Sequence, residues 1–396
     1  MTTSPVRLLV VDDEEDLELL IRQKFRRRIR KGEFDFVFAR NGQEALEKLA
    51  ENPDIHLVLS DINMPVMDGL ALLSKLEDTN PDVQAVIVSA YGDMENIRTA
   101  MNRGAFDFVT KPINFDDLEI TIEKTLNHIR ALETAQEARD RLVVIKRELD
   151  VAQQVQMSAL PKEVPSRETH DVQALMIPAR EVGGDFYDFF PLSDALIGLV
   201  IADVSGKGIP AALFTLMTRT LLKGTARDSP SPADCLSSVN DLLAEDNETC
   251  IFITLFYGVF DLRDGVFRYS NGGHNPPRLV RSDSRVEVLP ATENLVLGIA
   301  PGHEYRNGEI RVSPGDVLFL YTDGITEAQN SNDEEFGEER LDAKLASLGQ
   351  VPAREIVTTV VDEVRAFAGD APQSDDITCI AMRFAAPLSP STVDGT

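Results

Sequence analysis

Cysteine is scarce: only Cys235, Cys250 and Cys379 occur among 396 residues, far apart and without a CxxC or Cys/His spacing. That argues against a disulfide framework and against a zinc site, fits a reducing cytosol, and leaves all three as packing residues in apolar or helical settings. Cations are also in short supply. Lys and Arg number 39 against 66 Asp and Glu, a formal charge of −27, and a surface of that sign repels nucleic-acid phosphates and anionic lipid. Direct binding to DNA or to a membrane surface is therefore not expected. Long hydrophobic runs are missing as well. No stretch approaches the ~20 apolar residues that span a bilayer, and the start Met1-Thr-Thr-Ser-Pro-Val-Arg has no apolar segment followed by a cleavage signal. A cytoplasmic protein without an anchor is the expectation. What is present is a 43% hydrophobic content, ordinary for soluble cores, and length for two or three domains of roughly 100 to 200 residues each.

Up to about residue 125, short β-branched runs alternate with amphipathic stretches: Val6 to Val11, Phe34 to Phe38, His56 to Ser60, Ala85 to Ser89 and Phe106 to Val109. Five such runs predict an open, doubly wound parallel sheet with helices on both faces. From Phe115 to Ala159 there is no Gly or Pro, which predicts one long helix or two nearly continuous ones. Apolar positions recur at Leu118, Ile122, Ile129 and Leu132, lapse near Gln136 to Arg139, and resume at Leu142, Ile145, Leu149 and Ala152. Spacings of three and four predict a two-stranded coiled coil with a polar interruption, and hence a homodimer; a solitary amphipathic helix lying on a domain is the alternative. Pro161 and Pro165 close the helix. Beyond them, strands are predicted at Ala195 to Ala202, Ile251 to Leu262, Val266 to Ser270, Val286 to Leu289, Val317 to Tyr321 and Ile377 to Phe384. Helices are predicted at Pro210 to Thr225, Pro232 to Glu245 and Ala353 to Ala368, giving an α+β sandwich. The expected division is 1–125, a linker 126–165, a second domain 166–386, and a disordered tail 387–396.

The first domain places chemistry at its strand ends. Asp12 and Asp13 follow the first run, Asp61 the third, Ser89 ends the fourth and Lys111-Pro112 follows the fifth. In an open parallel sheet these carboxyl ends converge in one crevice. Three clustered carboxylates repel one another unless a hard divalent cation sits among them, and oxygen ligands favour Mg2+. Asp61 is then placed to accept a phosphoryl group, with the metal and Lys111 neutralising its oxygens. Each aspartate alone is also what a turn or a helix cap requires; the ordered set carries the reading. On Val-Val-Asp12-Asp13, Asp61-Ile-Asn-Met-Pro-Val-Met-Asp-Gly, Ser89-Ala and Phe108-Val-Thr-Lys111-Pro112, residues 5 to 125 resemble the receiver domain of two-component response regulators. The resemblance implies phosphorylation of Asp61 by a sensor histidine kinase or phosphotransfer protein. It also implies Mg2+ on Asp13, Asp61 and the Asn63 carbonyl with Asp12 nearby, and a switch through Ser89 and Phe108.

The second domain repeats the theme in four segments that contain no histidine or cysteine. Its segments are Gly183-Gly184-Asp185-Phe-Tyr-Asp188, Ala202-Asp203-Val-Ser-Gly206-Lys-Gly208, Tyr321-Thr-Asp323-Gly324 and Ser374-Asp375-Asp376-Ile-Thr378. Three of them set an Asp beside a strand and a glycine that permits close approach to a ligand. Hard oxygens predict Mg2+ or Mn2+, and two such ions can activate a water against a phosphate ester. Asp-Gly is also a hairpin signal; Arg263-Asp264-Gly265 is assigned to a plain hairpin and His274, in a Gly/Pro-rich turn, to a structural role.

Together with Arg180-Glu-Val and Asn-Gly-Gly-His274-Asn-Pro-Pro, these stretches resemble the SpoIIE-like branch of the PP2C phosphatases over residues 170 to 385. Gln153-Gln154-Val-Gln-Met-Ser-Ala-Leu-Pro161 resembles the helix that enters that domain. The resemblance implies a serine/threonine phosphatase in which Asp203 bridges two ions. The Val204 carbonyl and Asp185 then serve the second ion, Asp323 and Asp375 hold the first, with Asp376 adjacent and the choice within that pair left open. Arg180, five residues before Asp185, is expected to pair with the substrate phosphate, an exposed salt bridge being the alternative. A phosphorylated antagonist of an anti-sigma factor is the implied substrate. The rival expectation is a non-catalytic adaptor or scaffold that binds a sigma factor or its regulator; the retained acids favour the enzyme.

Overall fold

A computed structural model describes residues 5–90, 93–161, 167–229, 231–245 and 247–388. Contacts divide the chain into two units, Met1–Val144 and Ile145–Thr396. The first unit runs β1 (Val6–Val11), α1 (Glu15–Lys24), α2 (Arg26–Arg30), β2 (Phe34–Ala39), α3 (Gly42–Glu51), β3 (Ile55–Asp61), α4 (Gly69–Thr79), β4 (Gln84–Ala90), α5 (Met94–Asn102) and β5 (Asp107–Lys111), and then enters α6 (Phe115–Ala159). The strands form one parallel sheet in the order β2-β1-β3-β4-β5. Its central strands are buried on both faces, as parallel strands flanked by helices must be. Leu9, Val11 and Val58 pack with α3 and α4; Leu8, Val10 and Leu57 pack with α1 and the start of α6.

α6 is a single 45-residue helix, and its apolar pattern corrects the expected coiled-coil seam. Leu118, Ile122 and Ile129, together with Leu126, are buried in the core of the first unit, so these positions serve the sheet rather than a partner helix, whereas Leu132 is exposed. The expected boundary at 125 cuts through that packing. Leu142 and Ile145 are exposed, and Leu149 and Ala152 are partly buried.

The second unit continues with β6 (His170–Ile177), β7 (Phe186–Pro191), β8 (Leu196–Val204), α7 (Ile209–Asp228), α8 (Pro232–Glu245), β9 (Ile253–Asp261), β10 (Val266–Gly272), β11 (Arg278–Val280), β12 (Val286–Val288) and β13 (Gly308–Arg311). It ends with β14 (Val317–Tyr321), α9 (Asp323–Thr326), α10 (Gly337–Leu348), α11 (Ala353–Ala368) and β15 (Ile377–Phe384). Two antiparallel sheets, β13-β10-β9-β8-β7 and β12-β11-β14-β15-β6, share a core in which Leu199, Ile201, Phe256 and Phe260 meet Val172, Leu318, Leu320 and Ile380. α7 and α8 add Leu222, Leu236 and Val239 to that core. On the opposite face Phe319, Tyr321 and Cys379 pack against α10 and α11. Strands β14 and β15 therefore have apolar residues at consecutive positions, while β6 alternates inward Val172, Ala174 and Met176 with partly exposed residues.

The strands β6, β7, β11 and β13 and the helix α10 carry no sequence expectation; β7, with Phe, Tyr and Pro side by side, shows no clean alternation. The Arg263 hairpin is present, with Gly265 at φ 71. Cys250 corrects the expectation of three packing cysteines: Cys235 and Cys379 are buried, but Cys250 is exposed, in a turn at φ 52. The start of the predicted disordered tail is also corrected, because the Leu388 amide donates to the Leu262 carbonyl at 2.8 Å; 389–396 lie outside the described residues, as does Pro165.

Candidate functional site

The order β2-β1-β3-β4-β5 sets the ends of β1, β3 and β5 side by side or one strand apart, and the sequence loads those ends with charge. Carboxylate oxygens of Asp12, Asp13 and Asp61 all lie within 4.8 Å of one another. The Lys111 ammonium bridges the group, donating to Asp61 Oδ2 at 2.7 Å, Asp12 Oδ2 at 3.0 Å and Glu14 Oε1 at 3.1 Å. Burial raises the pKa of Asp12, against hydrogen bonds from the Glu14 amide and Lys111. Burial works against the charge on Lys111, yet its hydrogen bonds to Asp61 and Asp12 leave the ammonium pKa raised. Asp61 Oδ1 accepts from the Asn63 amide at 3.3 Å. Gly69 is required beside it: a Cβ there would stand 2.1 Å from the Asp61 carbonyl oxygen. Ser89 is fully buried, and its hydroxyl has no hydrogen-bond partner among the described residues. Phe108 is exposed on β5. Glu14 is the member of this cluster that sequence reasoning missed, since nothing distinguishes it from the acids of a helix first turn.

In the second unit, antiparallel register does the gathering. β7 pairs with β8 so that Phe186 faces Ala202, which sets Asp185 beside Asp203. β14 pairs with β15 so that Tyr321 faces Cys379, which sets Asp323 near Asp375 and Asp376. Asp185 is almost wholly buried; burial, then the charges of Asp203 and Asp376, push its pKa well up. Burial, then the charges of Asp323 and Asp375, push Asp203 up to about 7, although a hydrogen bond with Asp185 works the other way. Asp323 is raised by burial and by Asp375. These carboxyls act on one another through their charges, yet they do not form a triplet as tight as the Asp12 group. The Thr322 hydroxyl donates to Asp185 Oδ2 at 2.8 Å.

The two aspartates before β15 differ in employment. Asp376 accepts from the amides of Ala179 at 2.7 Å, Gly184 at 2.6 Å and Asp185 at 3.3 Å. It is a clamp on the 179–185 loop, and Gly183 is needed because a Cβ would meet its Oδ2 at 2.6 Å. Asp375 is held by the Lys207 ammonium, 2.8 Å from Oδ2. Val204 pairs its amide with the Gly184 carbonyl at 3.3 Å. Arg180 is exposed, with no ion pair among the described residues. His274 is buried between the Thr254 hydroxyl (2.9 Å) and the Tyr321 carbonyl (3.2 Å); burial lowers its pKa to about 4, so it stays neutral and braces the strands beneath the acids.

Two further groups lie in stretches the sequence singled out but received no role there. Gln156, buried on α6, makes a reciprocal pair with Gly183: its Nε2 donates to the Gly183 carbonyl at 2.6 Å, and its Oε1 accepts from the Gly183 amide at 3.1 Å. A glutamine at a buried helical position was the available signal. Asp188, with 1% exposure, pairs with Arg219 Nη2 at 2.7 Å and Lys223 at 3.5 Å on α7. Asp188→Ala leaves the guanidinium without its carboxylate and is expected to destabilise the unit by about 2 to 4 kcal/mol, read as a lower urea midpoint.

Comparison with known proteins places the two units. Residues 8–123 match the response regulator receiver domain, and residues 193–385 match stage II sporulation protein E (SpoIIE). Protein IcfG of Synechocystis is 32% identical over 65% of this chain and 44% of its own length. Phosphoserine phosphatase RsbU of Bacillus subtilis is 30% identical over 55% of this chain and 65% of its own length. The chain thus spans less than two thirds of either curated relative. The SiaA-PP2C domain of Pseudomonas aeruginosa superposes with a TM-score of 0.56 at 24% identity, covering 62% of this chain and 98% of that domain, a likeness of fold. The chain carries a response regulator receiver domain followed by a SpoIIE domain of the PP2C fold.

Proposed function

We propose that phosphorylation of Asp61, by a sensor histidine kinase or phosphotransfer protein, controls a metal-dependent serine/threonine phosphatase that acts on a phosphorylated regulatory protein, of the anti-sigma factor antagonist type. The observation that carries this reading is the gathering of Asp185, Asp203, Asp323 and Asp375 at one end of the two sheets, where burial and the charges of neighbouring aspartates hold the carboxyls of Asp185, Asp203 and Asp323 above their ordinary pKa. Carboxyls forced together in this way fit hard divalent cations, because only a cation relieves the repulsion without a proton. Asp203, Asp185, Asp323, Asp375 and the Val204 carbonyl would hold two Mg2+ or Mn2+ ions. Asp376, whose carboxylate is committed to three amides, positions the loop instead. Such ions, when bound, supply an activated water and charge neutralisation at a phosphate ester. The chain's own residues do the rest: Thr322 orients Asp185, and Arg180 is free to meet the substrate phosphate as a bidentate fork.

In the receiver, Asp12, Asp13 and Asp61, with the Asn63 carbonyl, fit one Mg2+. Lys111 already touches Asp61 and would neutralise a phosphoryl oxygen. The unpartnered Ser89 hydroxyl offers it a donor, and exposed Phe108 can turn inward as that hydroxyl moves. The exposed Leu142 and Ile145 on α6 then pair with those of a second copy, in the cytoplasm, and turnover rises. Among the described residues no helix is long and apolar enough to cross a membrane.

The test treats wild type and Asp61→Asn with an acyl-phosphate donor and follows phosphoserine-peptide hydrolysis in Mn2+ together with oligomeric state by light scattering. Several-fold faster turnover and a shift to dimer are expected for wild type alone. Equal behaviour of the two proteins would overturn the regulatory reading, and absence of hydrolysis in both would favour the adaptor.

A further inference from the structure

Lys207 lies in the Ser205–Gly208 turn between β8 and α7, four residues after Asp203. Its ammonium donates to Asp375 Oδ2 at 2.8 Å and to the Ser374 carbonyl at 2.7 Å. Its charge also acts on Asp323 and on Glu327. A single flexible cation therefore serves the same carboxylates that a divalent ion would need, and Asp375 Oδ2 cannot give its close contact to both. The pair is open to water, with side-chain exposures of 40% and 33%, so it is the kind of bond that solvent and competing ions displace readily. A lysine on a four-carbon stem can leave without disturbing the backbone, which a guanidinium fork would resist.

We infer that Lys207 is a positioning residue that acts as a built-in counter-cation: it competes with the divalent ion for Asp375, neutralises the cluster in the ion's absence, and so lowers the site's affinity for metal. This rests on the reading of the acid cluster as a cation site. A merely structural tie between the 205–208 turn and the 374 loop makes the opposite forecast. Cutting such a tie would loosen Asp375 and weaken metal binding, whereas removing a competitor strengthens it.

The measurement is calorimetric titration of the chelated full-length chain with MnCl2, in an Asp13→Ala background that silences the receiver's own candidate site. Lys207→Met is expected to bind Mn2+ about two- to fivefold more tightly, and Lys207→Arg to bind no more tightly than the parent, because the charge stays and a guanidinium fork leaves the carboxylate less readily. Unchanged or weaker binding by Lys207→Met overturns the inference, as does equal tightening in both variants. Asp203→Ala in the same background separates the two layers. If it binds Mn2+ like the parent, the cluster is not the cation site and both readings fall. If it loses binding while Lys207→Met matches the parent, the competition alone is wrong.

Discussion

Asp203→Asn is expected to cost at least about a hundredfold in phosphoester hydrolysis, the scale of losing one preorganised charge-stabilising group, and at the same time to stabilise the metal-free protein at alkaline pH. The reason is the same for both effects. Asp203 is held near other carboxyls in a buried site, with its pKa up to about 7 from an ordinary 3.8. A carboxyl whose folded pKa exceeds its unfolded pKa favours the folded chain fully below the unfolded value and gives that advantage up as pH rises through the folded value. Wild type in chelator should therefore lose on the order of 4 kcal/mol between about pH 4 and pH 7 through this group. Asparagine has no proton to lose. Melting curves from pH 4 to 8 should coincide for the two proteins at the acid end and diverge upward in pH, with the variant more stable. Mn2+ at about a hundred times its dissociation constant should return about 2.7 kcal/mol to wild type at pH 8 and little to the variant. A variant less stable than wild type at pH 8 in chelator would mean that Asp203 is not under strain from its neighbours.

That strain was partly legible in the sequence. Asp12, Asp61, Asp203 and Asp323 announce themselves because each sits where an apolar run stops, and strand ends are where a sheet presents its side chains to a ligand. The exact agreement of β14, β15, α8 and α11 with expectation has a similar cause: Val317–Tyr321 and Ile377–Phe384 are apolar runs buried on both faces, and Ala353–Ala368 has a clean helical stripe of Ile356, Val357, Val360, Val361 and Val364.

What stayed hidden depended on partners distant in the chain. Asp375 and Asp376 are adjacent, and only the fold shows that one faces Lys207 while the other caps the 179–185 loop. The seam of α6 misled for the same reason. Leu118, Ile122 and Ile129 have the spacing of a coiled coil because the face a helix turns to a sheet and the face it turns to another helix have the same period. Periodicity names a buried stripe without naming what buries it.

The end of α6 carries the other large effect. Gln156 sits on the helix that begins at the receiver's last strand, and both ends of its amide are spent on Gly183, the residue two before Asp185. Gly183 in turn has no room for a side chain against Asp376, so the loop bearing Asp185 is held from two sides, by a carboxylate on β15's leading turn and by an amide on the helix. Gln156→Leu removes the second hold without changing helix propensity much. It leaves a buried N–H and a buried carbonyl unpaired, at about 1 to 3 kcal/mol each, and frees the Asp185 loop to drift. A displacement near 1 Å at a reacting centre costs on the order of a hundredfold in rate. The expected result is a fall in kcat of about ten- to a hundredfold at saturating Mn2+ with KM for a phosphoserine peptide little changed. Gln156→Glu, which keeps the acceptor for the Gly183 amide and loses the donor, should fall between. If Gln156→Leu lost stability but kept its kcat, the helix would be holding the domain together without holding the site, and a signal arriving along α6 would have to reach Asp185 by another route.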